Sequence, residues 1–167
     1  VKKIGWLVGC ALLLLLMHGS AQAQLGADND LSRNWNLRAG FFIPEREEAR
    51  AAEGDVWVTF GAERKFYEAE RYSATLSIDY YGSGKIYNVP IMMNLRGETN
   101  RFRYGAGAGF GMSHDLNEGI LGFAYNLGIG YTLLQGKNPI SFDVRYMGLS
   151  TGGGQLSGWQ FTLGYQF

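Results

Sequence analysis

Residues 157–167, Ser-Gly-Trp-Gln-Phe-Thr-Leu-Gly-Tyr-Gln-Phe, set a large apolar side chain at every second position. Trp159, Phe161, Leu163, Tyr165 and Phe167 share one parity, and Gln160, Thr162, Gly164 and Gln166 hold the other. Successive side chains of a strand point to opposite faces, so this segment reads as a strand with one greasy face and one small, polar face. The same period of two recurs nearly everywhere after Gln24, with no convincing stretch of the 3.6-residue period of a helix. It predicts strands at about 34–44, 55–67, 71–82, 86–96, 101–112, 120–134, 139–149 and 157–167.

The front of the chain is of another kind. Lys2 and Lys3 precede a continuous apolar run from Ala11 to Met17, and Ala21-Gln22-Ala23 is a small-x-small site. This is the pattern of a secretory signal peptide over residues 1–23, with an apolar core short for a spanning helix. Leu7-Val8-Gly9-Cys10 resembles a lipoprotein processing site, but the main apolar run follows the cysteine, where it could not serve as the leader's core. Cleavage after Ala23 leaves 24–167 as one domain and removes Lys2, Lys3 and Cys10. Of 15 basic and 15 acidic residues, 13 and 15 then remain, a balance that does not suggest nucleic acid. With no cysteine left, disulfides and thiolate metal or redox sites are excluded from the mature chain.

Short polar turns at 68–71, 97–100 and 135–138 alternate with connections at 44–55, 82–85, 113–119 and 150–156 that are mostly longer and more irregular. An up-and-down barrel with one tight rim and one elaborated rim has such connections. Parity then decides which face meets which solvent. The apolar parity holds Trp35, Leu37, Phe41 and Ile43 on the first strand, Val89, Ile91, Met93 and Leu95 on the fourth, and Phe123 through Tyr131 on the sixth. An eight-stranded barrel has an interior just wide enough for ordinary side chains, so roughly two dozen large apolar residues must face outward. An apolar outer band belongs in lipid, and a closed barrel is the sheet that leaves no backbone edge unpaired there. The expected fold is therefore an all-β, eight-stranded, antiparallel transmembrane barrel.

The signal peptide, the eight amphipathic strands and the terminal Tyr165-Gln166-Phe167 together resemble the small outer-membrane β-barrels of Gram-negative bacteria, the OmpA-transmembrane-domain and OmpX/Ail-like group. The resemblance covers essentially the whole mature chain and is architectural. It implies that Trp159, Phe161, Leu163, Tyr165 and Phe167 form a strand read by the β-barrel assembly machinery. It also implies periplasmic termini and tight turns, longer loops at the cell surface, and a monomer among outer-membrane lipid and lipopolysaccharide.

The inward parity carries Arg38, Lys65, Arg96, Arg103 and Arg145 against Glu63, Asp79 and Asp143. Enclosed charges must be paired or wet, so a salt-bridged core is expected, with Asp79 and Asp143 accepting from arginines. Gly105, Gly107, Gly109, Gly111, Gly128 and Gly130 also point inward. Either neighbouring Arg, Tyr81, Met92 or Trp57 side chains fill the space they leave, or they line a pocket for a small apolar ligand. Two positions fit a plain strand poorly. Pro90 lacks a ladder donor, and Arg64 faces outward on the strand that turns Trp57 inward.

No catalytic, cofactor or metal residue is expected. Ser113-His114-Asp115 carries the letters of a hydrolase triad, but consecutive side chains diverge and cannot form the relay. The Gly-Ala-Gly-Ala-Gly-Phe-Gly run at 105–111 lacks the Lys-Ser/Thr of a phosphate loop. Outer-membrane lipid A deacylases carry a His-x-Ser motif on a late strand; here that stretch is Val144-Arg145-Tyr146-Met147-Gly148. The related palmitoyltransferases need a histidine in the first loop, and 44–55 has none. That loop is charged and could present Arg46 and Arg50 to lipopolysaccharide phosphates, or Glu45, Glu47 and Glu48 to divalent cations. The sequence thus supports a non-enzymatic envelope barrel with a structural or surface role, against the alternative of a lipid-modifying enzyme or ligand carrier using the glycine-lined interior.

Overall fold

The computed structural model describes residues 35–114, 121–151 and 154–167. The expected signal peptide and its cleavage site lie outside these residues. Eight strands follow one another: β1 (Trp35–Pro44), β2 (Trp57–Glu68), β3 (Tyr72–Ser83), β4 (Ile86–Thr99), β5 (Phe102–His114), β6 (Leu121–Leu134), β7 (Ile140–Thr151) and β8 (Gly154–Gln166). One helix, α1 (Glu47–Glu53), interrupts them between β1 and β2. Each strand pairs antiparallel with its sequence neighbours, and β1 pairs with β8, so the sheet closes into an up-and-down barrel. The closing seam runs from Asn36 opposite Gln166 to Pro44 opposite Gly158. Among the described residues no helix is long and apolar enough to cross a membrane.

Parity sorts the side chains as the volume argument requires. Phe110 and Leu127 are about two-thirds exposed, whereas Arg38, Asp79 and Arg145 are almost fully buried. Hydrophobic burial works in the opposite sense from a water-soluble barrel, so the outer surface is built for hydrocarbon rather than water. Aromatic belts ring both ends. Tyr67–Tyr72, Phe102–Tyr131 and Tyr165–Phe167 pair near the rim where β1 begins and β8 ends, here called the terminal rim. Phe60–Tyr80–Tyr87 and Tyr125–Tyr146–Trp159 form chains near the opposite rim, here called the loop rim. Amphipathic rings favour the two membrane–water boundaries, so these belts set the membrane frame.

Outward glycines occur beside two of these rings. A Cβ at Gly97 would meet the Tyr104 ring, and one at Gly148 would meet the Tyr125 ring. Each tyrosine lies flat over the bare backbone of its cross-strand partner, as the pairings Gly97–Tyr104 and Tyr125–Gly148 require.

Three details differ from the sequence reading, and a fourth, at Pro90, agrees with it. The strand expected to stop at 96 continues to Thr99, leaving a two-residue hairpin, Asn100–Arg101, with Asn100 in the left-handed region at φ 58°. The segment 150–156, expected as a loop, is mostly strand, because β7 runs to Thr151 and β8 begins at Gly154. Since 84–85 is also a tight turn, the elaborated loop rim rests, among the described residues, on the twelve-residue connection 45–56. At Pro90, where a bulge or an irregular spot is expected, the ladder is irregular and the register of β3 on β4 stays constant. The rungs at Asp79 and Tyr80 are missing from that ladder, beside a proline that has no N–H to donate. The Thr59 hydroxyl donates to the Tyr80 carbonyl at 2.8 Å beside this gap. Register shifts occur elsewhere, at Lys65/Tyr67 and Thr132/Leu134.

Candidate functional site

The interior divides into a charged half toward the terminal rim and an apolar half toward the loop rim. In the charged half, Arg38 donates to both oxygens of Asp79, at 3.0 and 3.1 Å, and also pairs with Glu63. Arg145 donates to Asp79 Oδ1 at 2.8 Å, and Arg96 pairs with Glu63. The result is one chain of five charges, Arg96–Glu63–Arg38–Asp79–Arg145, drawn from β1, β2, β3, β4 and β7. Arg103 and Asp143 form a second cluster at 2.7 Å, with Ser141 Oγ donating to Asp143 Oδ2 at 3.0 Å. Lys65, expected within this network, does not join it: its ammonium pairs with Glu68 at 2.8 Å, where the strand reaches the rim. Its long stem allows the charge to stay in water, which is cheaper than burying it.

Between the halves lies a neutral hydrogen-bonded layer. Asn126 Nδ2 donates to Asn94 Oδ1 at 2.7 Å, and Asn94 Nδ2 donates to Ser77 Oγ at 3.0 Å. Gln160 donates to Thr59 on the other side of the barrel. Buried polar groups need such partners, because each one left unmade costs its desolvation.

The apolar half is a plug. Phe42 lies against Tyr81 with ring centroids 4.3 Å apart and against Trp57 at 5.9 Å. Met92, Met147, Leu149 and Leu156 complete it, and Ala49 of α1 is buried with them, so the first loop folds over the end of the barrel. Trp57 Nε1 donates to the Gly54 carbonyl at 2.9 Å, and the Tyr146 hydroxyl donates to Glu45 at 2.7 Å. These contacts fasten the loop on either side of α1. The plug was legible in part, since Trp57, Tyr81 and Met92 are read as inward, space-filling side chains, whereas Phe42, Met147 and Leu149 join them only in the tertiary structure.

The glycine-rich interior is filled. A side chain on Gly130 would meet the Asp143 carboxylate, one on Gly107 would meet the Asn94 and Asn126 amides, and one on Gly128 would meet Arg145. Gly105 lies under Arg96, Gly111 under Leu149, and Gly109 against the backbone of Ile91 and Met92. Beside Gly105, Gly128 and Gly130 the space left is about 10 Å³, the lower limit for a single water. Gly105, Gly107, Gly128 and Gly130 therefore leave room for the polar side chains of neighbouring strands.

Other residues singled out in the sequence take ordinary positions. Ser113 is buried while His114 points outward and stacks on Tyr87 at 5.5 Å, and Asp115 lies outside the described residues. In the first loop, Arg46 Nε donates to Glu48 at 2.9 Å, which holds that carboxyl below the ordinary glutamate value. Among the described residues no three His, Cys, Asp or Glu side chains converge as a metal site. Arg64 lies outside, with its guanidinium 5.7 Å from the centre of the Trp35 ring at the terminal belt. Trp159, Leu163, Tyr165 and Phe167 are exposed along the outer face and Phe161 is half-buried beside them.

One feature has no sequence signal. A polar vestibule of about 330 Å³ opens at the terminal rim, lined by Glu63, Lys65, Arg96 and Arg103 with rim residues Glu70 and Glu98. It leads to the charged half and stops there.

An apolar exterior, a salt-bridged interior and complete closure define a transmembrane β-barrel of the small, eight-stranded, side-chain-filled class. In fold it is similar to Ail, the attachment invasion locus protein of Yersinia pestis, with a TM-score of 0.56 at 10% identity over 80% of this chain and 97% of that one. It is also similar to the outer membrane enzyme PagL, with a TM-score of 0.50 at 10% identity over 77% and 97%. De novo designed transmembrane β-barrels give 0.51 at 9% identity over 81% and 96%. At these identities the likeness is one of fold. No family model and no curated protein matches the chain.

Proposed function

We propose that this protein is a non-enzymatic, monomeric outer-membrane barrel with a structural or surface-contact role in the Gram-negative envelope. On this reading its terminal rim is periplasmic and its loop rim faces outward. The observation that carries the reading is the packed interior: five linked charges below, an aromatic plug above, and about 10 Å³ left beside Gly105, Gly128 and Gly130. A small-ligand carrier using the glycine-lined interior would need a hollow that the arginines and amides occupy. Conduction is opposed by the same packing, because Phe42, Trp57 and Tyr81 close the bore at one end. The role left to such a barrel lies on its surfaces, at the first loop and along its lipid-facing wall.

The test uses the absence of cysteine from the described residues. Glu48→Cys on α1 and Lys137→Cys on the β6–β7 turn are introduced separately and exposed to a membrane-impermeant maleimide on intact cells. Labelling of the first alone, together with fractionation into the outer membrane, supports the reading. Labelling of Lys137→Cys on intact cells, or recovery in the inner membrane, overturns it.

A further inference from the structure

The terminal-rim vestibule has a neighbour outside the barrel. An apolar groove of about 710 Å³ runs across the outer face of β4–β8, past Leu95, Ala106, Leu127, Val144 and Trp159. Ala106 lowers the relief there between taller side chains, and the Tyr104 ring lies over Gly97 beside it. Groove and vestibule share four lining residues, Arg71, Tyr72, Arg96 and Gly97, so the apolar wall and the polar mouth meet at a single lip. The charges at this lip are unusual for the molecule. Lys65 and Glu68 are paired, and Arg96 is taken up by Glu63. Glu70, Arg71 and Glu98, by contrast, make no ion pair or hydrogen bond among the described residues.

We propose that this lip holds one phospholipid with a zwitterionic phosphoethanolamine headgroup. Its phosphate meets Arg71, its ammonium lies toward Glu70 and Glu98 at the vestibule mouth, and an acyl chain follows the groove toward Trp159. A guanidinium is the side chain suited to bidentate phosphate recognition, and carboxylates on the opposite side favour an ammonium-bearing headgroup over an anionic one. Tyr72 and Tyr104 flank the point where headgroup gives way to chain, the depth at which such rings sit. The site differs from ordinary boundary lipid because charge of both signs and the low apolar relief coincide at one place on the wall. In the cell it relies on the orientation proposed above; in micelles it does not, so the cysteine labels and the lipid measurement can fail independently.

The test is native mass spectrometry of the folded barrel in mixed micelles containing palmitoyl-oleoyl phosphatidylethanolamine or the matching phosphatidylglycerol. One phosphatidylethanolamine retained per barrel, in preference to phosphatidylglycerol, is expected. Arg71→Gln should weaken retention about tenfold, the factor that follows from losing one charge-assisted hydrogen bond. Ala106→Trp, which fills the groove from the outside, should weaken it as well. Glycerophosphoethanolamine alone, the headgroup without a chain, should not displace the lipid. Heat-modifiable mobility on gels verifies that each variant is folded. Equal retention of the two lipids, or retention unchanged in Arg71→Gln, reduces the site to boundary lipid and overturns the proposal. Loss in Arg71→Gln with none in Ala106→Trp would overturn the placement of the chain.

Discussion

Trp35 and Phe167 exchange two backbone hydrogen bonds, Phe167 N–H to the Trp35 carbonyl at 3.0 Å and Trp35 N–H to the Phe167 carbonyl at 3.2 Å. These two residues stand at opposite ends of the barrel sequence and complete the last rung of the β1–β8 seam. A sheet in hydrocarbon must satisfy every backbone group internally, so this rung extends the closed ladder to the terminal belt. Around it, Tyr165 stacks near Phe167 at 6.1 Å and Arg64 lies over Trp35.

If the outward face of β8 is also the signal read during assembly, Phe167→Ser should lower the amount of heat-modifiable barrel in outer-membrane fractions. The same variant refolded into detergent should remain close to the parent, because the seam is backbone-paired and loses one exposed ring. Normal insertion in cells would show that Phe167 only completes the aromatic belt.

Asp79 is the hub of the interior charges, since both Arg38 and Arg145 depend on it. Asp79→Ala should destabilise the barrel by about 3–5 kcal/mol, because it leaves two buried guanidiniums short of a partner. Urea-induced unfolding in phospholipid vesicles measures the difference. Arg103→Met should couple to it in a double-mutant cycle, because the Asp143 it frees lies two residues from Arg145 on the same face of β7.

Trp57→Ala should cost about 3–5 kcal/mol by opening a cavity in the plug. Combined with Phe42→Ala it should also let ions enter from the loop rim. Planar-bilayer recordings would then show conductance in the double variant above that of the parent. A silent double variant would mean that the charged half blocks the bore on its own.

Gly130→Val should cost about 1–3 kcal/mol, as overpacking commonly does, because the first carbon already meets the carboxylate that holds Arg103. Ala108→Val, outward on the adjacent β5, should be close to neutral. Similar tolerance at both positions would indicate interior space that the structure does not contain. Thermal or urea unfolding of both variants makes the comparison.

How far the sequence reached depends on the range of the interaction concerned. Strand identity and facing are local properties of a chain with period two, so Phe110 outward and Asp79 inward could be read directly. The first residue of β8 was misplaced because Gln155 and Leu156 continue the ladder through a stretch rich in glycine, where composition signals a turn. Pro90 was legible as a defect, a bulge or an irregular spot, and the rungs on either side hold the register so that it is the second.

Period and volume alone were enough to require a closed barrel with its apolar face in lipid, because eight strands cannot enclose that many large side chains. They also required the enclosed charges to pair. Only the tertiary structure decided which charges meet. Arg145 reaches Asp79 across 66 residues of chain, and Lys65 turns away to Glu68, because the tilt and stagger of closed strands set the depth of each inward side chain. The same stagger gathers the aromatic residues at one end, opens the vestibule at the other, and brings the unpaired charges of the terminal rim to the edge of the outer groove.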